Sequence, residues 1–257
     1  MGIFEKTGQI IIRTSERAGE ALTLLFRTLL WFRAIPKNSD KILRQFYMCG
    51  VLSIPVVSIT AAFTGMILAG QIGHELKALG AEQMVGRVTG AAICRELGPV
   101  LTAVMVAGLV GGGMASSLGT MKVSEELDAL TVMSIDPVRY LAMPRLVAMM
   151  IVLPVLTMYS NTIGILGGAL VAKYQVGVEY ETFFKSLFGA GLDYWDVWFG
   201  ILKSFFFGVI ISAVACDQGF SATGGAEGVG YATMKSVVYS FLLILLANFL
   251  LFSLVYR

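Results

Sequence analysis

The sequence has 257 residues, of which 56% are hydrophobic and 14% are charged, and its mean hydropathy is +0.78. Soluble domains of ordinary composition carry about 25% charged residues, so this composition excludes a water-soluble fold and favours a chain that crosses a lipid bilayer several times. The formal net charge is only +2, with the basic residues concentrated near the N-terminus, which gives no reason to expect nucleic-acid binding.

Residues 1–40 combine apolar and basic positions in a way that predicts an interfacial helix. Leucine and phenylalanine recur at helical spacing between residues 22 and 30, while arginines interrupt every long apolar run, at Arg13, Arg17, Arg27 and Arg33. Such a helix lies in the headgroup plane of a bilayer. The alternative is a further span over residues 21–32, which is too short to cross and has a charge in its middle.

Five later runs are apolar enough to cross a bilayer as helices, which takes about 20 residues. They cover residues 45–73, 88–118, 146–172, 197–216 and 236–256. The expected fold class is therefore an all-α membrane protein, built as a single domain over residues 1–257. Pro55 is expected to bend the first span.

The distribution of Lys and Arg predicts the orientation of these spans. More of them precede the first span than occur in any other loop, which places the N-terminus in the cytoplasm. Alternation then puts residues 122–145 and 217–235 on the cytoplasmic side, and residues 74–87 and 174–196 on the outer side. With five spans, the C-terminus lies on the outer side as well.

The cytoplasmic loop over residues 122–143 predicts two short helices. Ser124 is in position to cap the first of them, whose opening turn is acidic, with Glu125, Glu126 and Asp128. An apolar stripe follows at spacings of three, through Leu127, Leu130 and Met133. Asp136 and Pro137 form the start of the second helix. An acidic amphipathic helix suits docking into a groove of another protein, and its stripe equally suits packing against the chain's own bundle.

Three charged residues fall inside the predicted spans, namely Arg95, Glu96 and Lys203. Each costs at least about 2.5–3.5 kcal/mol to insert, so such residues rarely persist without partners or water. Arg95 and Glu96 point about 100° apart on a helix and cannot fully satisfy each other, so one of them can reach Lys203 or a phosphate group. Two interpretations stay open: a lipid-headgroup site, or a structural ion pair between Glu96 and Lys203.

Two further patterns concern helix surfaces. An apolar stripe continues past the end of the first span, through Leu68, Ile72, Leu76 and Leu79. It needs a partner, and we expect it to line a lipid cavity, with packing against another helix as the alternative. The pairs Gly108–Gly112 and Gly164–Gly168 have the spacing that lets membrane helices approach closely, either within a protomer or across a dimer.

The sequence has no pattern that indicates catalysis or metal binding. Its three cysteines lie far apart and are interpreted as apolar packing residues, and the single histidine, His74, cannot form a metal site. It contains no GxxxxGK[ST] phosphate loop, so the chain cannot be its own ATPase. We therefore predict a protein that is not an enzyme by itself, with no catalytic residue, no metal and no cofactor.

Three sequence blocks resemble the MlaE/YrbE permease family, the membrane subunits of ABC transporters that move phospholipids and related lipids. They are RELGPVLTAVMVAG at 95–108, GGGMASSLGTMKVSEELDAL at 111–130 and SIDPVRYLAMPR at 134–145. The resemblance implies a homodimeric permease in the bacterial inner membrane, with its C-terminus in the periplasm. It also implies a cytoplasmic ABC ATPase, a periplasmic MCE-domain lipid-binding protein and a possible STAS-domain accessory protein as partners. The acidic loop helix would then be the coupling helix that contacts the ATPase.

The chain departs from the family pattern at two positions of the second span. Leu109 stands where the family usually has arginine, and Ser117 stands where it usually has glutamate. The two positions are about 12 Å apart along a helix. Losing one base and one acid together leaves the charge of the helix unchanged.

The alternative to an ABC transporter permease is a transporter of a different class. In an ion-coupled secondary transporter of a hydrophobic substrate, Arg95, Glu96 and Lys203 would be coupling sites. The sequence shows no internal repeat of the kind that such transporters have, and the loop helix would have no purpose there. A scaffold without transport would leave the intramembrane charges unexplained.

Overall fold

The computed structural model describes residues 39–190 and 193–255, with isolated positions at 19, 23 and 26–28. Within these ranges all regular structure is helical. The predicted interfacial helix of residues 1–40 lies almost entirely outside the described residues.

Five of the described helices are long and apolar enough to cross a membrane, as predicted. They are α1 (Ser39–Ala78), α2 (Glu82–Val123), α4 (Val138–Val176), α6 (Tyr194–Phe220) and α7 (Gly225–Val255). Two shorter helices lie between them, α3 (Glu126–Val132) and α5 (Tyr180–Ala190). Each long helix begins before its predicted run, because polar residues extend it beyond the apolar segment. We call the end of the bundle that carries α3 the loop end, and the opposite end the far end.

Three of the long helices form the centre of the bundle. In their apolar stretches, 56% of the residues of α2, 67% of α4 and 61% of α6 are buried, against 22% in α1 and 11% in α7. The main core lies where the three central helices meet, and it includes Ala107, Leu153, Phe207 and Ile211. The outer faces of α1 and α7 therefore remain open to lipid or to another protein.

Glycines bring α1 and α4 into direct backbone contact. A Cβ atom added to Gly65 would lie 1.9 Å from the carbonyl oxygen of Gly164, and one added to Gly168 would lie 3.2 Å from the carbonyl oxygen of Gly65. The Gly164–Gly168 spacing thus serves a contact within one chain. Nothing lies within 4 Å of a Cβ atom placed on Gly108.

Three spans depart locally from α-helical geometry, and α4 does so at both of its ends, with π-helical segments at Val138–Ala142 and Ala172–Val176. A turn of 3₁₀-helix at Val51–Ser53 precedes Pro55 in α1, at the predicted bend. In α2, π-helical segments occupy Ile93–Leu97 and Ala107–Gly111. Segments of this type insert an extra residue into a helical turn and are frequent at functional sites. The first of them contains two of the three intramembrane charges.

The start of α3 corrects the prediction that Ser124 caps it. The Ser124 hydroxyl donates instead to the carbonyl oxygen of Thr120 at 2.9 Å, which ends the preceding helix. Glu125 then takes a left-handed backbone conformation with φ of 60°, and α3 begins at Glu126. Glu125, and not Ser124, is thus the residue before the first turn of α3, so the helix begins one residue later than the sequence pattern predicts.

The predicted apolar stripe of α3 divides between two environments. Leu127 is buried and Leu130 is half-buried, whereas Met133 is 60% exposed and the neighbouring Val132 is 86% exposed. The helix therefore packs one edge against its own bundle and presents the other edge to solvent. The backbone N–H group that follows Pro137 donates to the Asp136 carboxylate at 2.9 Å, as predicted for a helix start.

The loop between α4 and α6, predicted to lie on the outer side, forms α5, which packs on the start of α2. Phe183 is fully buried in a small cluster with Val85 and Val176. A Cβ atom on Gly86 would lie 2.1 Å from the carbonyl oxygen of Phe183, so glycine is required for this approach. The far end of the bundle is thereby closed on the α5 side.

Candidate functional site

An ionic cluster connects α2, α6 and α7. The Lys203 Nζ donates to Glu96 Oε1 at 2.5 Å, and the Asn248 side-chain amide donates to Glu96 Oε2 at 2.9 Å. Beside this group, Arg95 Nη2 donates to Asp196 Oδ2 at 2.6 Å. The structure therefore brings together the three charges singled out from the sequence and adds two polar residues to them.

Local backbone geometry positions these side chains. Arg95 and Glu96 lie in the π-helical segment Ile93–Leu97. The Arg95 guanidinium and the Glu96 carboxylate each contact a side chain of α6. A Cβ atom on Gly200 would lie 2.3 Å from the carbonyl oxygen of Cys94, so α6 crosses α2 in close contact at this level. Lys203 follows Gly200 by nearly one turn, which places its amine beside Glu96.

The cluster has a buried part and a partly exposed part. The side chains of Lys203 and Asp196 are 0% and 7% exposed, whereas those of Glu96 and Arg95 are 33% and 41% exposed. The Lys203 amine also donates to the Arg95 carbonyl oxygen at 3.3 Å and lies 4.9 Å from the ring centroid of Phe199. Complete burial favours a structural role for the Lys203 pair, because a charge without solvent requires a fixed partner. Arg95 is the cation of the cluster that reaches the surface.

Sequence reasoning missed Asp196 and Asn248 as members of this cluster. Asp196 was assigned to the outer loop, yet it precedes Lys203 by seven residues and so lies on the same side of α6. Asn248 is the only amide side chain in the apolar run 236–256. Both positions carry a signal, because an isolated polar residue within a span requires a partner in another span.

An open groove lies at the far end of the bundle beside α1. It has a volume of about 790 Å³, and it is lined by the apolar side chains of Ile72, Leu76 and Val88 together with the polar side chains of Gln71, His74 and Glu75. Of the predicted stripe, Leu68 and Leu79 do not line this groove, and Leu79 is 78% exposed. Leu76 also packs against the buried cluster of α4 and α5, so part of the stripe serves internal packing.

The groove and the ionic cluster both involve α2, at neighbouring levels. Val88 precedes Arg95 by seven residues, which is about two turns and about 10 Å along the axis. Both residues are partly exposed. The helix that carries the cation therefore also lines a partly apolar groove, and an amphipathic ligand would need both kinds of surface.

The model of the family Permease MlaE matches residues 42–254, which is most of the chain. The chain belongs to this family. A probable ABC transporter permease protein of Rickettsia bellii is 36% identical over 100% of this chain and 99% of its own length. A probable ABC transporter permease protein of Synechocystis is 40% identical over 86% of this chain and 83% of its own. The resemblance to MlaE permeases is confirmed.

A third relative comes from a plant. The chloroplastic protein TRIGALACTOSYLDIACYLGLYCEROL 1 of Arabidopsis thaliana is 39% identical over 82% of this chain and 60% of its own length. Together with the five apolar helices, the matches identify a multi-pass membrane protein of the ABC transporter permease class. The ionic cluster, the groove and α3 all lie within the part of the chain that the family model matches.

Proposed function

We propose that the chain is the membrane subunit of an ATP-driven transporter that moves phospholipids or related lipids. In this proposal lipids pass between the bacterial inner membrane and a periplasmic MCE-type lipid-binding partner. The family assignment supports transport driven by an ABC ATPase. The plant relative carries the name of a glycerolipid, which supports lipid as the substrate.

The observation that carries the substrate class is that α2 both lines a groove with apolar side chains, at Val88, and carries the partly exposed Arg95. Acyl chains would occupy the groove, because its lining offers apolar surface that is open to the bilayer. The headgroup phosphate would contact the Arg95 guanidinium, which forms paired hydrogen bonds with phosphate more readily than an amine does. Asp196 holds this guanidinium in place before the lipid arrives.

Lys203 is then a positioning residue and not a direct ligand of the headgroup. Its amine is fully buried and fixes Glu96, whose other carboxylate oxygen accepts from Asn248. Glu96 adjoins Arg95 in the same π-helical segment, so this pair fixes the backbone that carries Arg95. Removing the pair should disturb the Arg95 site without removing any atom that touches lipid.

ATP hydrolysis would take place in a separate cytoplasmic ATPase. We propose that it docks on the solvent-facing edge of α3, which begins with the acidic Glu126 and ends with the exposed Val132 and Met133. An acidic rim with apolar side chains fits a groove of complementary charge in a partner. The loop end would accordingly face the cytoplasm, with the N-terminus on the same side. A homodimer would cover part of the open faces of α1 and α7, and a STAS-domain protein would be a further partner.

Site-specific photo-crosslinking in native membranes tests the lipid site. A crosslinking amino acid at Ile72, which lines the groove, is compared with one at Val155, a control that is 59% exposed elsewhere on the bundle. We expect phospholipid adducts at Ile72 that decrease when Arg95→Gln and Asp196→Asn are introduced together, while adducts at Val155 do not change. Both charges are replaced because Asp196 alone would be left as a buried carboxylate.

Two outcomes would contradict the proposal. One is capture of protein and no lipid at Ile72, which would show that the groove is a packing surface. The other is an equal response of both positions to the double replacement, which would show that Ile72 meets only bulk bilayer lipid.

A further inference from the structure

A second cationic site lies at the loop end of the bundle, around Arg145. This residue is near the start of α4 and is 6% exposed. Its Nη2 donates to the Ser117 hydroxyl at 3.3 Å, and its Nη1 has no hydrogen-bond partner. Among residues 39–190 and 193–255, no carboxylate forms an ion pair with Arg145. A permanently charged guanidinium is thus buried with one neutral partner.

Arg145 lines a cavity of about 450 Å³ between α1, α2 and α4, which we call the Arg145 cavity. A second cation, Arg44, lines it as well, and none of its lining residues is acidic. The remaining lining is largely apolar and includes Met48, Leu52 and Met114. The cavity therefore combines two positive charges with an apolar wall.

A buried charge in such a setting requires a counter-charge. An arginine guanidinium stays protonated in proteins, so Arg145 cannot adapt by losing its proton. Leu109 and Ser117 of α2 both line the cavity, and neither carries a charge. Ser117 supplies a hydroxyl at the place where a carboxylate would neutralise Arg145. The Arg145 cavity therefore has the volume and the uncompensated positive charge to bind an anion from outside the chain.

We propose that the Arg145 cavity binds a phosphate group, supplied by a phospholipid headgroup or by a free phosphate ion. Guanidinium groups match the geometry of phosphate oxygens, and the unpartnered Nη1 is a donor ready for one of them. The apolar wall suits a lipid whose acyl chains extend toward the bilayer. Leu109, which lines the Arg145 cavity, follows Arg95 by 14 residues of α2, about 20 Å along the helix axis. The site is therefore separate from the groove of the proposed function and does not depend on it.

Binding measurements on the full-length chain, delipidated in detergent, test this site without any transport assay. The probes are phosphatidylglycerol, diacylglycerol, which lacks the phosphate, and inorganic phosphate. Native mass spectrometry gives the amount of bound lipid, and the thermal unfolding midpoint reports stabilisation by each probe. We expect phosphatidylglycerol to bind and stabilise the wild-type chain more than diacylglycerol does.

The decisive variant is Ser117→Glu, which keeps Arg145 and places a carboxylate beside it. This variant should weaken phosphatidylglycerol binding about tenfold or more, because the internal carboxylate replaces the external anion. Ser117→Ala is its matched control and should bind as the wild type does. Arg145→Met should also lose binding, whereas Arg139→Met, which removes an arginine at the same end of the bundle outside the cavity, should not.

The probes distinguish the two sources of phosphate. Stabilisation by phosphatidylglycerol but not by inorganic phosphate assigns the site to a lipid headgroup, and stabilisation by inorganic phosphate assigns it to a soluble anion. Equal affinity of the wild-type, Ser117→Glu and Arg145→Met chains for phosphatidylglycerol, with no response to inorganic phosphate, would overturn the proposal.

Discussion

The Glu96–Lys203 pair allows a prediction that depends on the unequal burial of its two members. Glu96→Gln would leave the Lys203 amine fully buried without a counter-charge, with the introduced amide oxygen and the Arg95 carbonyl oxygen at 3.3 Å as neutral acceptors. Removing one partner of a buried pair typically costs about 3–5 kcal/mol of unfolding free energy. We expect Glu96→Gln to fall in this range.

The reverse replacement should be milder. Lys203→Met would leave Glu96 with the hydrogen bond from Asn248 at 2.9 Å and with one third of its side chain exposed. A solvated carboxylate that keeps a hydrogen bond loses less, and we expect a cost of about 1–2 kcal/mol. The double variant removes both charges and should lie within about 1 kcal/mol of the wild type, because buried pairs often exchange for apolar residues at little cost.

Unfolding in mixed micelles of SDS and a mild detergent measures these free energies for the four chains. The expected order of stability is wild type and double variant, then Lys203→Met, then Glu96→Gln. Two results would refute the reasoning. One is a larger loss for Lys203→Met than for Glu96→Gln, and the other is a double variant whose loss equals the sum of the two single losses.

Three further predictions follow from packing, from the loop helix and from the sequence. Gly65→Ala should destabilise the chain by about 1–3 kcal/mol or more in the same unfolding measurement, because its Cβ would overlap the Gly164 carbonyl oxygen, whereas Gly108→Ala has open space and should be tolerated. Glu126→Lys combined with Met133→Arg should abolish co-purification of the partner ATPase while the chain still inserts into membranes, since both side chains lie on the exposed edge of α3; undiminished co-purification would remove α3 from the interface. The purified chain alone should hydrolyse no ATP, and hydrolysis by a preparation free of other proteins would contradict the absence of a phosphate loop.

The number and order of the membrane spans could be predicted from the sequence because each is a long apolar run between charged segments. The pairing of Glu96 with Lys203 was one of two open alternatives, and intramembrane charge alone could not choose between them. The pairing depends on the close crossing of α6 and α2 at Gly200, which buries the Lys203 amine beside Glu96. A sequence does not show that crossing. Asp196 was missed because the span was taken to begin with the uncharged run at residue 197. The helix begins three residues earlier, at Tyr194, and includes Asp196.

Local backbone conformation was harder to predict than the spans. The Ser124 cap was inferred from a pattern of residue types, yet the left-handed Glu125 shifts the start of α3 by one residue. Arg145 closes the loop predicted over residues 122–145, whereas the structure places it inside α4 and buries it. A window of sequence does not show that α1 and α2 cover this position. Tertiary packing therefore determines which basic residues of the loop end are solvated.

Lipid transport itself is the central claim, and one measurement tests it most directly. The chain is reconstituted with its partner ATPase in proteoliposomes, and transfer of a fluorescent phospholipid is followed with ATP, without ATP, and with an ion gradient alone. We predict transfer that requires ATP and that is lost when Arg95→Gln and Asp196→Asn are introduced together, with folding and ATPase association retained. Transfer driven by the ion gradient without ATP, or ATP-dependent transfer that the double variant leaves unchanged, would contradict the account.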